Sequence, residues 1–443
     1  MMQVIRHRFG IMSALLCSIV LAGCSDREVI LPGKREPILT SEASATDGAG
    51  ALAAPKAFAM PTQKNNVAWP QGHASPSTQV VHAALSAAPK PLWALSVGTG
   101  DRARNRITAD PIVAEGIVFT LDSLSVLTAT SAAGRRLWSR DLTPTSERAG
   151  DADGGGIAYG DGVVFVSTGY GVLHALDPKS GSALWKQELK GSGNGRPSYF
   201  DGVVYLVSQD SVAWAIEAAT GRIRWQLDHL NDVNNMSGST GPAISEKLVV
   251  FGFGAGDLQA AFRGGGLTLW NATLAGGRSG RAVATIDDIA TSPVISGSTV
   301  FAANTSGRIA AMRLDSGARL WTAPFGARSP LWPAGGSLFF VNDLGQLMRL
   351  DATDGSTVWS VDLPGFVSLA QRKSKDVVTH HGPVLAGGRL LLASGDGLLR
   401  QFDPETGAER SAIRLGSGAT ANPIVADGIL YILCRDGKLR AYR

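Results

Sequence analysis

The chain has 443 residues, 41 Lys and Arg against 37 Asp and Glu, a formal net charge of +4, 54 glycines and 3 cysteines. The charge is nearly balanced and spread along the chain without a long basic run, which excludes a nucleic-acid footprint, and so few cysteines exclude a disulfide scaffold. A length near three ordinary domains would be the default, but a strong internal repeat overrides it.

Residues 1–23 read as an export signal. Arg6 and Arg8 precede an apolar run from Phe9 to Val20, too short to span a bilayer, and Leu21-Ala22-Gly23 leads into Cys24. That ending resembles the lipobox of bacterial lipoproteins. The resemblance implies diacylglyceryl attachment at Cys24, cleavage before it and acylation of the new N-terminus, with ~0.8 kcal/mol per buried methylene holding the chain to a bilayer. Ser25 after the cysteine favours the outer membrane in that sorting logic. Residues 24–89 turn to Ala, Ser, Thr and Pro with little apolar periodicity and are expected to be a lipid-anchored, disordered tether. Trp69-Pro70 and Val80-Val81 are its points for docking back on the folded part, and His73 and His82 fall within it.

From residue 90 the pattern changes. Trp138, Trp185, Trp225, Trp270, Trp321 and Trp359 each stand four residues after a glycine, at spacings by subtraction of 47, 40, 45, 51 and 38. A period in the forties is that of a four-stranded propeller blade. The best copies are ALDPKSGSALW (175–185), AIEAATGRIRW (215–225), AMRLDSGARLW (311–321) and RLDATDGSTVW (349–359). TATSAAGRRLW (128–138) and AAFRGGGLTLW (260–270) are weaker, and QFDPETGAERS (401–411) has Ser411 in the tryptophan position. Asp161-Gly162, Asp201-Gly202 and Asp427-Gly428 mark tight hairpins between apolar runs. In the motif turn Asp177 and Asp403 can accept backbone N–H bonds, while Gly181, Gly221, Gly317, Gly355 and Gly407 supply positive φ.

Seven repeats run from about residue 107 to 415, and NPIVADGILYILCRDGKLRAYR begins an eighth that stops before its outer strand. KPLWALSVG (90–98), with Trp93 in the tryptophan position, matches the missing strand. The fold predicted is therefore all-β, an eight-bladed β-propeller of four-stranded blades over 90–443, its last blade closed by an N-terminal strand. Cys17 leaves with the signal and Cys24 carries lipid, so Cys434 has no partner and reads as a buried, inert thiol.

Chemistry is sparse. His174 lies in the strand VLHAL, and His380-His381 lack a carboxylate or cysteine at ligand spacing. The glycine clusters 154–156 and 264–266 do not join a strand to a helix, and no serine has a nucleophile-elbow setting. No catalytic, cofactor or metal residue emerges, and the protein reads as a non-enzyme.

The motif resembles the repeat of quinoprotein dehydrogenases, whose eight-bladed propellers hold pyrroloquinoline quinone and calcium. Those enzymes place a disulfide of adjacent cysteines against the quinone. A mature chain with only Cys24 and Cys434 cannot form it, and the long capping insertions are missing.

Lipobox, tether and propeller together resemble the BamB family, lipoprotein subunits of the outer-membrane β-barrel assembly machinery. LPGKREPI (31–38), GGGIAYGDGVVFVSTGYGVLHALD (154–177) and HGPVLAGGRLLL (381–392) carry that resemblance. It implies a scaffold in the outer membrane, propeller facing the periplasm, that binds the POTRA domains of BamA beside other Bam lipoproteins and aids insertion of outer-membrane proteins. Unfolded outer-membrane proteins adding strands to blade edges are a physical option. Loops from an outer strand to the next inner strand are longest at 139–156, 226–242, 271–292 and 364–382. The second and third are expected to be neighbours on one face, offering Asn234, Asn235, Met236, Arg278, Arg281, Asp287, Asp288 and Ile289 to a partner. The family's Asp-Val-Asp docking segment corresponds to Asp288-Ile289-Ala290, which keeps only the first aspartate. Its Leu-x-Leu-Arg segment falls roughly on Asn234–Ser237, with Met236 similar and no arginine. A quinone enzyme, or another periplasmic binding propeller, would share this fold.

Overall fold

The motif turn sets the architecture. Gly181, Gly221, Gly317, Gly355 and Gly407 have φ of 70°, 74°, 68°, 76° and 74°, a region that side chains resist. Asp177 Oδ1 accepts from the N–H groups of Lys179 (3.1 Å) and Ser180 (2.7 Å), and Asp403 Oδ1 does the same for Glu405 and Thr406. The chain thus turns tightly between the third strand of a blade and the fourth. Hairpins between first and second strands use a second device, with both central residues at positive φ, as at Asp161 (49°) and Gly162 (75°).

The computed structural model describes residues 56–443 except 190, 192–194, 230–239, 255, 275, 278–288, 290 and 367–376. These residues form eight four-stranded antiparallel sheets, each in chain order from an inner to an outer strand. The eighth blade runs Ile424–Ala426, Ile429–Leu433 and Lys438–Tyr442, and its outer strand is Pro91–Ser96. Trp93 pairs with Ala441 there, as Trp185 pairs with Ala175 within blade 2. The predicted closure by an N-terminal strand is what the chain does.

Between blades, one contact recurs seven times. Each indole N–H donates to a carbonyl in the motif turn of the following blade: Trp93 to Ala132, Trp138 to Pro178, Trp185 to Ala218, Trp225 to Arg263, Trp270 to Leu314, Trp321 to Ala352 and Trp359 to Pro404, at 2.9–3.2 Å. The glycine of that turn lies flat on the indole. A Cβ on Gly181 would sit 2.7 Å from the Trp138 ring, and one on Gly134 would sit 2.6 Å from Trp93. The glycine is therefore needed twice, for its φ and for the ring's approach. Ser411 precedes the eighth blade, whose outer strand Pro91–Ser96 is not joined to its third strand through a motif turn, so an indole there would have no turn to cap.

The expected disordered tether needs correction over its second half. Residues 24–55 lie outside the described residues, but 56–89 form an ordered strap across the face that carries the hairpin and motif turns. Trp69 exchanges backbone bonds with Val113 of blade 1 (2.8 and 2.9 Å), and Pro70 accepts from Tyr159 of blade 2. Gln71 bonds Tyr199 of blade 3, Ser75 and Ala74 accept from Ile244 and Ile295 of blades 4 and 5, and Val81 accepts from Trp332 of blade 6. Ala83 pairs with blade 7 and Asn66 with blade 8. Two buried arginines that break the repeat's pattern hold the ends. Arg349, where six blades have alanine opposite the tryptophan, donates to Ala57 O and stacks on Phe58, while Arg389 donates to Ser86 O and Ala87 O. Six of the eight inner strands are only two or three residues long, and among the described residues the inward edge has no neighbouring strand, so the strap satisfies backbone groups that would otherwise need water.

The staple can be tested on Trp185. Trp185→Phe, which keeps most packing but leaves the Ala218 carbonyl without its donor, should cost about 1–2 kcal/mol. Trp185→Ala should cost about 3–5 kcal/mol, both read from urea unfolding. No measurable cost in Trp185→Phe would show that the hydrogen bond adds nothing.

Candidate functional site

Two loops expected to carry a docking surface are bracketed by well-placed strands. Residues 226–242 join the outer strand of blade 3, Ile223–Asp228, to the inner strand of blade 4, Ala243–Ile244. Residues 271–292 join Thr268–Thr273 of blade 4 to Val294–Ser296 of blade 5. The described ends of both segments therefore lie on the face opposite the strap. Their C-terminal feet touch: the Gly241 N–H donates to Ser292 Oγ at 2.9 Å. At the start of the first loop His229 Nε2 lies 3.1 Å from Asp257 Oδ2.

Of the expected docking residues, Asn234, Asn235, Met236, Arg278, Arg281, Asp287 and Asp288 lie outside the described residues. Ile289 is described, and it is not a surface anchor. It is 2 % exposed, packs with Ala243, Val250 and Ile295, and lies so close to Gly252 that a Cβ there would meet its Cγ2 at 2.8 Å. An isoleucine between polar residues looks like an exposed apolar anchor in sequence, but here it roots the loop in the core.

Along the ring axis is a cavity of about 130 Å³, bounded by the starts of the inner strands and, on the strap side, by Trp69, Gln71 and His73. Its wall contains a charge network that sequence reading missed. Arg196 Nη1 donates to Asp110 Oδ2 at 2.5 Å, Asn422 donates to the same carboxylate from its backbone N–H and Nδ2, and Gly382 N–H donates to Asn422 Oδ1. Arg196 belongs to blade 3 and Asp110 to blade 1. Between them stands Gly156 of blade 2, where a Cβ would lie 2.9 Å from Arg196 Cα. The available signal was positional, since Asp110-Pro111, Arg196-Pro197 and Asn422-Pro423 stand just before the inner strands of blades 1, 3 and 8, and Gly382-Pro383 lies within that of blade 7. With its carboxylate engaged by three donors the network is a brace across four blades rather than an acid–base pair. Among the described residues no three His, Cys, Asp or Glu side chains converge as metal ligands would. Cys434 is buried, and burial pushes its thiol up to about 11, so it stays protonated and unreactive.

A model of the family described as outer membrane protein assembly factor BamB matches residues 123–361 and 362–443. The chain belongs to the BamB family. Among relatives named outer membrane protein assembly factor BamB, that of Escherichia coli (strain K12) is 28 % identical over 361 residues, covering 79 % of this chain and 87 % of the relative. That of Salmonella typhimurium (strain LT2) is 27 % identical over 365 residues, covering 80 % and 88 %. In three dimensions the BamB propeller of Moraxella catarrhalis superposes with a TM-score of 0.64 at 17 % identity, covering 80 % of this chain and all of that one. A quinohemoprotein alcohol dehydrogenase from Comamonas testosteroni reaches the same TM-score at 14 % identity, covering 85 % and 80 %. Both likenesses speak to the fold alone.

The histidines of this BamB-family ring are structural. His73 stacks on Trp332 (3.6 Å between ring centroids), and burial lowers its pKa to about 3. Burial likewise lowers His174 and His381 to about 4, and His380 is lowered by burial while it bonds Ser394 and Pro364 O. These imidazoles stay neutral in the fold. Below about pH 6.5 the unfolded chain takes up protons that the folded one refuses, so stability falls as pH drops from 6.5 toward 4, by up to about 1.4 kcal/mol per pH unit for each such histidine. Neither His73 ring nitrogen has a protein partner, so His73→Phe should keep the stack and flatten this slope. Urea midpoints between pH 7 and 5 check it, and an unchanged slope would count against a neutral His73.

Proposed function

We propose that this protein is a non-catalytic scaffold in outer-membrane protein assembly. It binds the POTRA domains of BamA beside other Bam lipoproteins, through the face that carries loops 226–242 and 271–292. Family membership supports the assembly role. The observation that carries the surface is the bond between Gly241 and Ser292, which joins the feet of the two loops and makes one patch of them. In this reading residues 1–23 are removed, Cys24 carries the lipid that anchors the chain in the outer membrane, and the ring works in the periplasm. Asn234, Asn235, Met236, Arg278, Arg281, Asp287 and Asp288 are the side chains offered to the partner, and Ile289 holds them at their root. One apolar contact, Met236, ringed by charge suits a modest interface that assembles and dissociates. A ring braced by paired charges and neutral, buried histidines suits a rigid platform better than a reaction centre.

The test is affinity capture of the full-length protein from detergent-solubilised membranes, followed by binding of a purified POTRA fragment. Wild type should recover BamA with its companion lipoproteins. Asp288→Arg with Met236→Asp should weaken fragment binding by at least about tenfold, the scale of one lost charge contact plus one lost apolar contact, and leave thermal unfolding unchanged. Unaltered binding by the double variant would remove this surface.

A further inference from the structure

Blade 4 has the weakest inner strand of the ring. It is two residues long, with only Ala243 paired to Val250 and Ile244 to Val249. It is also the strand into which loop 226–242 feeds. The strap reaches this strand and its neighbour in blade 5 at one corner. Ser75 Oγ accepts from the Ile244 N–H at 2.8 Å, and the adjoining Ala74 carbonyl accepts from the Ile295 N–H at 3.0 Å. Gln79 Nε2 adds a bond to Ile295 O at 2.7 Å. The corner is itself held in shape, since the Thr78 and Gln79 N–H groups both donate to Ser75 O at 3.0 Å. Ala74 and Ser75 are 5 % and 2 % exposed, and Ala74 packs in the same apolar cluster as Ile289.

On the opposite face, three residues back along each of the same chain segments, Gly241 donates to Ser292. Three hydrogen bonds and the chain between them close a circuit: Ser75 to Ile244, back to Gly241, across to Ser292, forward to Ile295 and on to Ala74. Blades 4 and 5 are thus tied at both ends of their inner strands, between the two loops assigned to docking. We propose that Ser75, with Ala74 and Gln79, is a positioning stitch that fixes the spacing of loops 226–242 and 271–292, so that the N-terminal strap sets the geometry of the docking face through the thickness of the ring. The inference rests on the docking reading above and adds residues that never touch the partner. Holding two loops in one relative placement removes an ordering cost that binding would otherwise carry.

The experiment uses the full-length protein and the same POTRA fragment. Ser75→Ala leaves the Ile244 N–H without its acceptor, Ser75→Thr keeps a hydroxyl, and Asn66→Ala loosens the strap only at blade 8, where Asn66 bonds Val425 O. Affinity should fall roughly fivefold to tenfold in Ser75→Ala, the scale of one unmade hydrogen bond. It should recover in Ser75→Thr and stay unchanged in Asn66→Ala, while the Gly241 amide exchanges faster only in Ser75→Ala. If Ser75→Ala does not fold, Gln79→Ala releases the strap's side-chain hold on Ile295 and is read in the same way. Wild-type affinity in Ser75→Ala, with loss of binding in the Asp288→Arg, Met236→Asp variant, would overturn the stitch and leave the docking reading standing. Equal losses in Ser75→Ala and Asn66→Ala would overturn it too, because the strap would then act on the whole fold. If the docking double variant binds normally, the docking reading falls, and Gly241 exchange alone decides the stitch: faster exchange confined to Ser75→Ala keeps it, unchanged exchange rejects it.

Discussion

Everything in this ring depends on the bond from one blade's indole to the next blade's motif turn. A single four-stranded sheet cannot bury both faces, so a blade is stable only against its neighbours. The indole supplies the apolar area, its N–H fixes where along the turn it sits, and the turn glycine lets it approach. The contact has a direction, from each blade to the next, and a ring closed by directed contacts must solve the junction where the chain begins and ends. Here Trp93 solves it by reaching from the eighth blade to Ala132 of the first. At the remaining junction, from blade 7 to blade 8, blade 8 takes its outer strand from Pro91–Ser96 and not through a motif turn, and there the repeat carries Ser411. The missing tryptophan and the missing turn are one fact seen from two sides.

Closure by side chains at the rim leaves the axis unsolved. The inner strands converge there with one backbone edge facing nothing but the cavity. The strap answers with main-chain carbonyls and amides rather than a packed face: Trp69, Pro70, Ala74 and Ala83 contribute backbone groups, and Gln71 and Asn66 contribute amides to backbone partners. The same strap then becomes the outer strand of the last blade, where Lys90 and Arg443 exchange backbone bonds. The segment that seals the axis and the strand that closes the ring are therefore continuous, and loosening one is felt by the other.

That difference in chemistry decides what the sequence revealed. Blade number, closing strand and turn geometry were legible because they rest on residue types with one job, an indole, a glycine at positive φ, an aspartate at a turn. The strap was not, because backbone hydrogen bonding imposes no side-chain period, and a run of Ala, Ser and Pro looks the same bound or free. Trp69 was noticed as a docking point, yet its partner Val113 could not be named. A sharper signal lay elsewhere: Arg349 occupies a position that is alanine in six other blades, and a buried arginine facing carbonyls implies a chain passing over it. For the candidate site, the neighbourhood of the two loops follows from blade order. Ile289 was misjudged because loop and core alternate at single-residue resolution, and only Gly252 beneath it reveals the burial.

In a ring of near-copies, information about function sits where the copies differ, and the two faces differ unequally. The strap face is constrained by the motif turns, which must meet indoles, and by the hairpins, which must meet the strap. The opposite face carries the connections between blades, which meet neither and are free to lengthen. Blade 4 marks the junction of these regimes: its inner strand is the shortest, a long loop leads into it, and the strap's Ser75 supplies a bond that its two-residue ladder does not. A short strand beneath a long loop would normally blur the loop's placement. On the docking reading proposed above, the Ser75 bond from the far face would restore it, so that the ring could vary its docking surface without giving up a defined one.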